Sequence, residues 1–229
     1  MIILNIIQLI FLALWTIFIV YICAPFLNYN GAWYITTHWW AGGCARILFS
    51  KIKIEGLENL DPKQHYVFMA NHSSYFDIAC LFYATKRRLH FIAKQELGKQ
   101  FFTGYMLRKL QIIFIDRSNA QRSAASMRKA IETIQSGKDI AIFPEGTRTK
   151  TGKLGAFKKG GFKMAIQSQT PIVPVIIENS AKAWARNNIT FRPTTVTVYF
   201  CPPIETNNLQ ESDTQALSER VREQFIRLA

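Results

Sequence analysis

The sequence predicts an α/β fold with a largely parallel or mixed sheet flanked by helices, preceded by an N-terminal hydrophobic two-helix membrane motif. Short β-rich runs alternate with helix-like segments after residue 50, which favours a parallel sheet. The first 45 residues contain no Lys, Arg, Asp or Glu. The β-rich runs are Lys51–Ile54, Tyr66–Ala70, Leu89–Ala93, Ile112–Ile115, Asp139–Phe143, Val173–Ile177 and Thr195–Phe200.

Two segments between or after these runs have the apolar periodicity of amphipathic helices. Asn119–Ser136 has an apolar stripe, with Asn119 as the predicted N-cap and Gly137 as the stop. Ser212–Leu228 has a similar stripe. At 229 residues the chain can bury one substantial core. We therefore predict a membrane-anchoring helical segment over residues 1–50 and a catalytic domain over residues 51–229.

The N-terminal segment Ile2–Leu27 is almost continuously apolar, and Pro25 predicts a helix end near Ala24. Such a helix would be roughly 35 Å long, enough to cross a hydrocarbon core of about 30 Å. A cleaved signal peptide is disfavoured, because no basic residue precedes the segment and no cleavage site follows it.

The next segment, Gly31–Lys51, is rich in tryptophan and tyrosine, which prefer the headgroup level of a membrane. Either the first helix spans the bilayer, or both helices form a hairpin in one leaflet; a buried core hairpin is the third alternative. In both membrane interpretations the positive charge after residue 45 predicts the inner membrane, with the catalytic domain facing the cytoplasm.

The chain has 28 basic and 15 acidic residues, a net charge of +13 that belongs entirely to the part after residue 45. This charge predicts an anionic partner, and the uncharged N-terminal segment favours an anionic membrane surface over nucleic acid. The four cysteines and four histidines show no spacing typical of a disulfide framework or a zinc site. We therefore expect no metal and no bound cofactor.

The strongest candidate for chemistry is His72 with Asp77, directly after the run Tyr66–Ala70. Five residues on a regular helix turn through about 140°, so the two side chains would not meet on a helix. The segment must begin as a turn and become helical near Asp77, which would let the carboxylate orient the imidazole as a general base. A chance pair or a capping aspartate is the plainer alternative.

No nucleophile accompanies this base. The chain lacks a G-x-S-x-G elbow, and Ser73 and Ser74 lie too close in sequence to His72 for attack. We therefore expect His72 to activate a hydroxyl group of the substrate, which makes the reaction a group transfer to an alcohol.

Basic side chains follow several predicted strands, where ligands usually bind in parallel sheets. Arginine suits phosphate oxygens, and a solvated loop charge is the alternative for each residue. The sequence predicts that these cations converge at one edge of the sheet. They are Lys94, Arg117, Arg148 and Lys158, with Lys159 as a weaker candidate.

Four short motifs resemble, in order and spacing, the motif blocks of the glycerolipid acyltransferases, nearest to the lysophosphatidic acid acyltransferases of bacteria. The resemblance covers roughly residues 50–205. The chain departs from the pattern at Gln111, where glycine often begins the second block. The motifs are Asn71-His72-x4-Asp77, Phe114-Ile115-Asp116-Arg117, Phe143-Pro144-Glu145-Gly146-Thr147-Arg148 and Val173-Pro174-Val175.

The resemblance implies a glycerol-phosphate acyltransferase-like fold and transfer of an acyl group from acyl-CoA or acyl carrier protein to the sn-2 hydroxyl of lysophosphatidic acid. His72 would be the catalytic base and Asp77 its orienting acid. An acyl-chain tunnel is expected near Ile78–Tyr83. The implied substrate-binding residues are Lys94, Arg117, Glu145, Gly146, Thr147, Arg148 and Lys158.

Three other functions stay open at this point. The acceptor could be another lysophospholipid or a lyso-aminolipid. The protein could bind anionic lipid or nucleic acid without catalysis, although binding alone needs no base. It could also be a lipid hydrolase that uses water as the acceptor.

Overall fold

A computed structural model describes residues 2–116, 119–149, 153–185 and 189–227. Strands occur at all seven predicted positions, and no strand end differs from the predicted one by more than one residue. The strands are β1 (Lys51–Glu55), β2 (Val67–Ala70), β3 (His90–Lys94), β4 (Ile113–Ile115), β5 (Ile140–Ile142), β6 (Ile172–Glu178) and β7 (Thr195–Phe200).

The seven strands form one mixed sheet in the order β1-β7-β6-β2-β5-β3-β4. The five strands from β6 to β4 are parallel to one another. Strand β7 runs antiparallel to β6, and β1 runs parallel to β7. The carboxyl ends of the five parallel strands therefore lie at the same edge of the sheet, and the predicted α/β class with a mixed sheet is confirmed.

Helices cover both faces of this sheet. The helix α7 begins after Asn119, whose side chain accepts a hydrogen bond from the amide of Arg122 at 2.8 Å, as the predicted N-cap should. The helices are α1 (Ile2–Ile17), α2 (Tyr29–Tyr34), α3 (Ala41–Ile47), α4 (Phe76–Thr85), α5 (Gln95–Gly98), α6 (Phe101–Lys109), α7 (Ala120–Gln135), α8 (Gly160–Ser168), α9 (Ser180–Ala183) and α10 (Thr214–Arg227).

The central strand β2 shows how the core is divided, because its successive side chains point to opposite faces. Phe68 and Ala70 belong to the cluster packed against the N-terminal helices, α4 and α6. Val67 and Met69 belong to the cluster packed against α7, α8 and α10. All four residues are buried, as expected for a parallel sheet covered on both faces.

The N-terminal segment forms a continuous helix over Ile2–Phe26, long and apolar enough to cross a membrane. It includes a π-helical stretch, Phe18–Cys23, and a second such stretch, Ile35–Trp40, joins α2 to α3. One side of the first helix is buried against the rest of the protein through residues such as Leu12 and Ile19. A membrane role for these helices stays a prediction at this point.

The first helix and α3 approach closely at Gly43. A Cβ atom there would overlap the indole ring of Trp15. Two cross-helix hydrogen bonds fix the contact: Trp15 donates to the carbonyl of Trp40 at 3.3 Å, and the indole of Trp40 donates to Thr16 Oγ1 at 3.1 Å. The lack of a side chain at residue 43 therefore sets the distance between the helices.

We predict that Gly43→Ala destabilises the protein by about 1–3 kcal/mol, because the added methyl group forces the helices apart. The neighbouring variant Gly42→Ala is the matched control. Its Cβ would meet Tyr83 at an ordinary 3.6 Å, and alanine favours the helix. Thermal unfolding in detergent should show a lower midpoint for Gly43→Ala only. Equal midpoints for both variants would contradict the close contact.

Candidate active site

The first site loop is anchored by Asn71, the residue that follows β2. Its side-chain amide donates to the carbonyl of Ile177 at 2.9 Å and accepts from the amide of the same residue at 2.7 Å. The side chain thus extends the pairing of β2 with β6 beyond the end of the strand. This fixes the point from which His72 leaves the sheet.

Asp77 lies in the first turn of α4 and is fully buried. Its Oδ2 atom accepts three hydrogen bonds, from His72 Nδ1 at 2.8 Å and from the amides of Ser73 at 2.7 Å and Ser74 at 2.8 Å. These donors and the N-terminus of the helix stabilise the carboxylate charge. The predicted turn followed by a helix therefore brings the two side chains together.

The imidazole of His72 is held in one orientation. Because Nδ1 faces a carboxylate, it carries the proton, and Nε2 keeps a lone pair that can accept one. The ring stacks on Phe143 with 3.9 Å between centroids, and Phe143 in turn stacks on Phe91. With 15% of its side chain exposed, His72 is accessible to a substrate.

The two serines beside His72 have hydroxyl groups that are engaged elsewhere. The hydroxyl of Ser73 lies 2.9 Å from that of Ser180, and Ser74 donates to the carbonyl of Trp184 at 2.7 Å. Ser74 Oγ also accepts from the amide of Phe76 at the start of α4. The hydroxyl groups of both serines therefore stabilise the conformation of the loop that carries His72.

Glu145 is buried and connects its own loop after β5 with the loop that carries His72. Its Oε1 accepts from the amide of His72 at 2.9 Å, and its Oε2 accepts from the amide of Gly155 at 2.8 Å. Both oxygens therefore have backbone donors. Its predicted contact with the acceptor stays a prediction, and the structure adds a role in positioning the backbone of His72.

Gly146 has a left-handed backbone with φ of 70° and closes a tight turn through its amide to the carbonyl of Phe143 at 2.9 Å. A Cβ at this position would approach the end of the Lys158 side chain to 2.9 Å. The amide of Lys158 donates to the carbonyl of Pro144 at 2.8 Å. Lys158 is thereby brought against the turn, whereas Thr147 is exposed on it.

Arg148 lies over the ring of Tyr75, with 3.5 Å from its guanidinium carbon to the ring centroid. A cation over an aromatic face at this distance is stabilised by the ring quadrupole. Tyr75 packs in turn against Trp184. The guanidinium is therefore fixed beside the loop that carries His72.

The remaining predicted cations are spread along the edge of the sheet. Lys94 ends β3, which is two strands from β2, or about 10 Å at ordinary strand spacing. Lys94 is exposed, and Arg117 lies outside the described residues. Among the residues that are described, no group of three His, Cys, Asp or Glu side chains could hold a metal ion.

Two cavities adjoin the His72 loop on different sides. A polar cleft of about 540 Å³ is lined by His72, Ser73 and Glu145 together with Lys153 and Lys182. An apolar cavity of about 430 Å³ lies between the first helix, α4 and α6. Its lining includes Tyr75, Ile78, Ala79, Phe82 and Leu12. The loop thus separates a charged compartment from an apolar one.

Residues 51–178, more than half of the chain, match the sequence profile of a family described as Acyltransferase. The chain belongs to the acyltransferase family. This match spans both loops that form the site described above.

Curated relatives of this acyltransferase are named 1-acyl-sn-glycerol-3-phosphate acyltransferases. The protein from Borreliella burgdorferi is 32% identical over 177 residues, which cover 77% of this chain and 71% of the relative. The protein from Cocos nucifera is 32% identical over 79% of this chain and 58% of the relative. The human alpha form is 30% identical over 77% of this chain and 62% of the relative. The matched region is thus under two thirds of the plant and human proteins.

A solved structure has the same fold as this acyltransferase over almost its entire length. The 1-acyl-sn-glycerophosphate acyltransferase PlsC from Thermotoga maritima superposes with a TM-score of 0.83 at 26% identity. The match covers 97% of this chain and 93% of PlsC.

Sequence reasoning missed several residues that shape this acyltransferase site. Phe143 was predicted as the end of a strand and as the first residue of a motif, but not as a contact of His72, yet its ring fixes the plane of that imidazole. Lys153 and Lys182 line the polar cleft without belonging to any predicted set. An aromatic residue directly after a buried strand could have indicated Phe143; nothing in the pattern indicated the two lysines.

We predict that Glu145→Gln lowers both stability and activity of the acyltransferase. The amide group would present a donor to one of the two backbone amides that Glu145 binds, at a cost of about 1–3 kcal/mol for the unpaired buried donor. Urea unfolding and acyl transfer should be measured beside Glu178→Gln, an exposed residue lining the same cleft. Unchanged stability of Glu145→Gln would refute the positioning role.

Proposed function

We propose that this acyltransferase transfers a fatty acyl group from acyl-CoA or acyl carrier protein to the sn-2 hydroxyl of lysophosphatidic acid, giving phosphatidic acid. The hydrogen bond between His72 Nδ1 and the buried carboxylate of Asp77 carries this proposal. It leaves Nε2 able to accept a proton on a side chain that lines the polar cleft, while Tyr75, three residues further along the same loop, lines the apolar cavity. The names of the relatives support lysophosphatidic acid as the acceptor.

The reaction follows from that geometry. Nε2 of His72 takes the proton of the acceptor hydroxyl while the hydroxyl oxygen attacks the thioester carbonyl. Asp77 stabilises the resulting imidazolium through Nδ1. A carbon–oxygen bond forms, the carbon–sulfur bond breaks, and the departing thiolate takes the proton back from His72. The products are the new ester and a free thiol.

The environment of the two neighbouring serines favours direct transfer over an acyl-enzyme intermediate. Ser73 and Ser74 hydrogen-bond to Ser180 and Trp184, and neither is bonded to the imidazole of His72 through its hydroxyl. A nucleophile should lie within hydrogen-bond reach of its base. The acceptor alcohol is therefore the attacking group, activated by His72 alone.

The two compartments match the two ends of an amphipathic substrate. The apolar cavity suits an acyl chain, and it contains residues of the predicted tunnel segment Ile78–Tyr83. Arg148 lies over Tyr75, which lines that cavity. The charge of Arg148 would therefore lie close to the acceptor phosphate when the acyl chain of the acceptor occupies the cavity. We assign the acceptor phosphate to Arg148 and Arg117, with Lys94 and Lys158 as further cations.

We predict that His72→Ala lowers turnover by about 10²–10⁴-fold, because the general base is lost. His65→Ala is the matched control, since this half-exposed histidine precedes β2 at the opposite edge of the sheet. The assay uses detergent-solubilised protein, labelled acyl-CoA or acyl carrier protein, and lysophosphatidic acid. Turnover of His72→Ala within a few-fold of wild type would exclude His72 as the base.

The same assay separates the alternatives when other lysophospholipids and a sample without acceptor are run in parallel. Phosphatidic acid formed only from lysophosphatidic acid supports the proposal. Acylation of another lysolipid instead would change the acceptor but keep the chemistry. Free fatty acid without acceptor would indicate a hydrolase.

For the membrane we propose that the first helix lies in the plane of one leaflet. Its contacts with the protein extend along its length: Asn5 Oδ1 accepts from the amide of Phe191 near one end, and Lys109 donates to the carbonyl of Ala24 near the other. These points are 19 residues apart, or about 28 Å. A hydrocarbon core is about 30 Å thick, so little free length is left to cross it.

The outward side of the same helix supports this orientation. It exposes a row of large apolar side chains from Ile3 to Phe26. Cations lie near both ends of the pair formed by the first helix and the run from α2 to α3: Arg46 in the last turn of α3, and Arg88 over the ring of Tyr29 at the start of α2. Since both ends need headgroups or water for these charges, the pair would lie parallel to the surface. The positive charge of the catalytic domain favours the cytoplasmic leaflet.

We predict that cysteines placed at Ile3 and Phe26 react only from the cytoplasmic side, in a Cys23→Ser background. Inside-out and right-side-out vesicles are treated with a membrane-impermeant maleimide, and Gln121→Cys on α7 reports the side of the catalytic domain. A helix that spans the bilayer would bring one of its two ends to the opposite side. Labelling of either end in right-side-out vesicles would therefore contradict the in-plane orientation.

A further inference from the structure

A third cavity, of about 500 Å³, lies at the end of α4 that is remote from the active site. It is bounded by the helical run after residue 27 and by Lys86 and Arg88, which follow α4. Lys86 is nine residues from Asp77, or about 14 Å along the helix. We refer to this third cavity as the distal basic cavity.

The distal basic cavity has positive charge without a compensating acid. Lys86, Arg88 and His38 line it, and no Asp or Glu is among the lining residues. Within the described parts of the chain, neither Lys86 nor Arg88 forms an ion pair. The neighbouring Arg87 is different, because it pairs with Asp139. Two cations, on either side of Arg87 in the sequence, therefore line a cavity without acidic side chains.

These cations are held in place by the fold. Lys86 has a left-handed backbone with φ of 53° at the end of α4. Its ammonium group donates to the carbonyl of Thr37 at 3.0 Å and lies 4.1 Å from the centroid of the Tyr83 ring. The guanidinium of Arg88 lies 5.8 Å from the ring of Tyr29. Lys86 thus connects the catalytic part to the N-terminal helices.

The rest of the cavity is apolar and aromatic. Leu27, Trp33 and Ile35 form apolar lining, and the exposed ring of Tyr34 stacks on His38 with 4.4 Å between centroids. Phe26, beside the cavity, is 87% exposed and continues the apolar outer side of the first helix. Apolar lining with cations and an exposed tyrosine is the surface expected at the headgroup level of a membrane.

We propose that the distal basic cavity binds the headgroup of an anionic membrane phospholipid, separately from the substrate at His72. Lys86 and Arg88 bind the phosphate, and the apolar lining covers the glycerol backbone and the first part of the acyl chains. An inorganic phosphate would leave that lining bare, which is why we assign a lipid. The bound lipid bridges the N-terminal helices to the catalytic part.

The test uses the full chain in neutral detergent, titrated with phosphatidylglycerol and, separately, with phosphatidylcholine. Binding is followed by native mass spectrometry and by the shift in thermal midpoint. The variant Lys86→Gln/Arg88→Gln removes the two charges and should weaken phosphatidylglycerol binding about 30-fold. The matched control Arg128→Gln/Lys129→Gln removes the same charges from the exposed side of α7 and should bind like wild type.

Acyl transfer in detergent should stay unchanged in both variants, since neither pair belongs to the active site. This keeps the inference distinct from the proposed reaction. If Lys86→Gln/Arg88→Gln does not fold, Arg88→Glu alone keeps the contacts of Lys86 and should still abolish the preference for phosphatidylglycerol.

Three outcomes would overturn the proposal. Equal phosphatidylglycerol binding by Lys86→Gln/Arg88→Gln and wild type would remove the site. An equal loss of phosphatidylglycerol binding in the α7 control would mean that the overall positive charge of the protein attracts the lipid without a specific site. Displacement of the lipid by excess inorganic phosphate, with the same thermal shift, would indicate a site for free phosphate.

Discussion

The arrangement of the active site depends on a single buried oxygen, Oδ2 of Asp77. It accepts hydrogen bonds from the imidazole of His72 and from two backbone amides, so one atom closes the turn and orients the imidazole. A carboxylate can remain charged inside a protein when backbone donors and a helix N-terminus replace water. The position of α4 and the chemistry at its start are therefore parts of the same interaction.

That helix also joins the catalytic and N-terminal parts. Asp77 at its start binds the imidazole of His72, one side lines the apolar cavity, and the residues that follow its end line the distal basic cavity. Leu12 and Ile19 of the first helix form another wall of the apolar cavity. A compartment that suits an acyl chain is thus completed by the segment most suited to contact lipid, in agreement with membership of the acyltransferase family.

Much of the fold and of the candidate site could be predicted, because strands and the His72–Asp77 pair are encoded by residues close together in the sequence. Short β-rich runs located each strand in the described parts of the chain, and the 140° argument located the turn between His72 and Asp77. The reversed direction of Thr195–Phe200 could not be predicted, since periodicity is the same in either direction. The contacts of Glu145 join positions 73 residues apart. The two π-helical stretches could not be predicted either, because they change only the spacing of the backbone hydrogen bonds and leave the apolar sequence pattern of a helix unchanged.

The backbone of His72 is held by the loop after β5 on both sides: Glu145 binds its amide, and the amide of Thr149 donates to its carbonyl at 2.8 Å. The backbone of His72 is therefore joined to this loop at two points. A redesign of acceptor choice that exchanges this loop for one of another length would also displace His72, the proposed proton acceptor. Thr147 is exposed at the tip of the loop and takes part in neither hydrogen bond. It is the position where the loop can change while His72 stays in place.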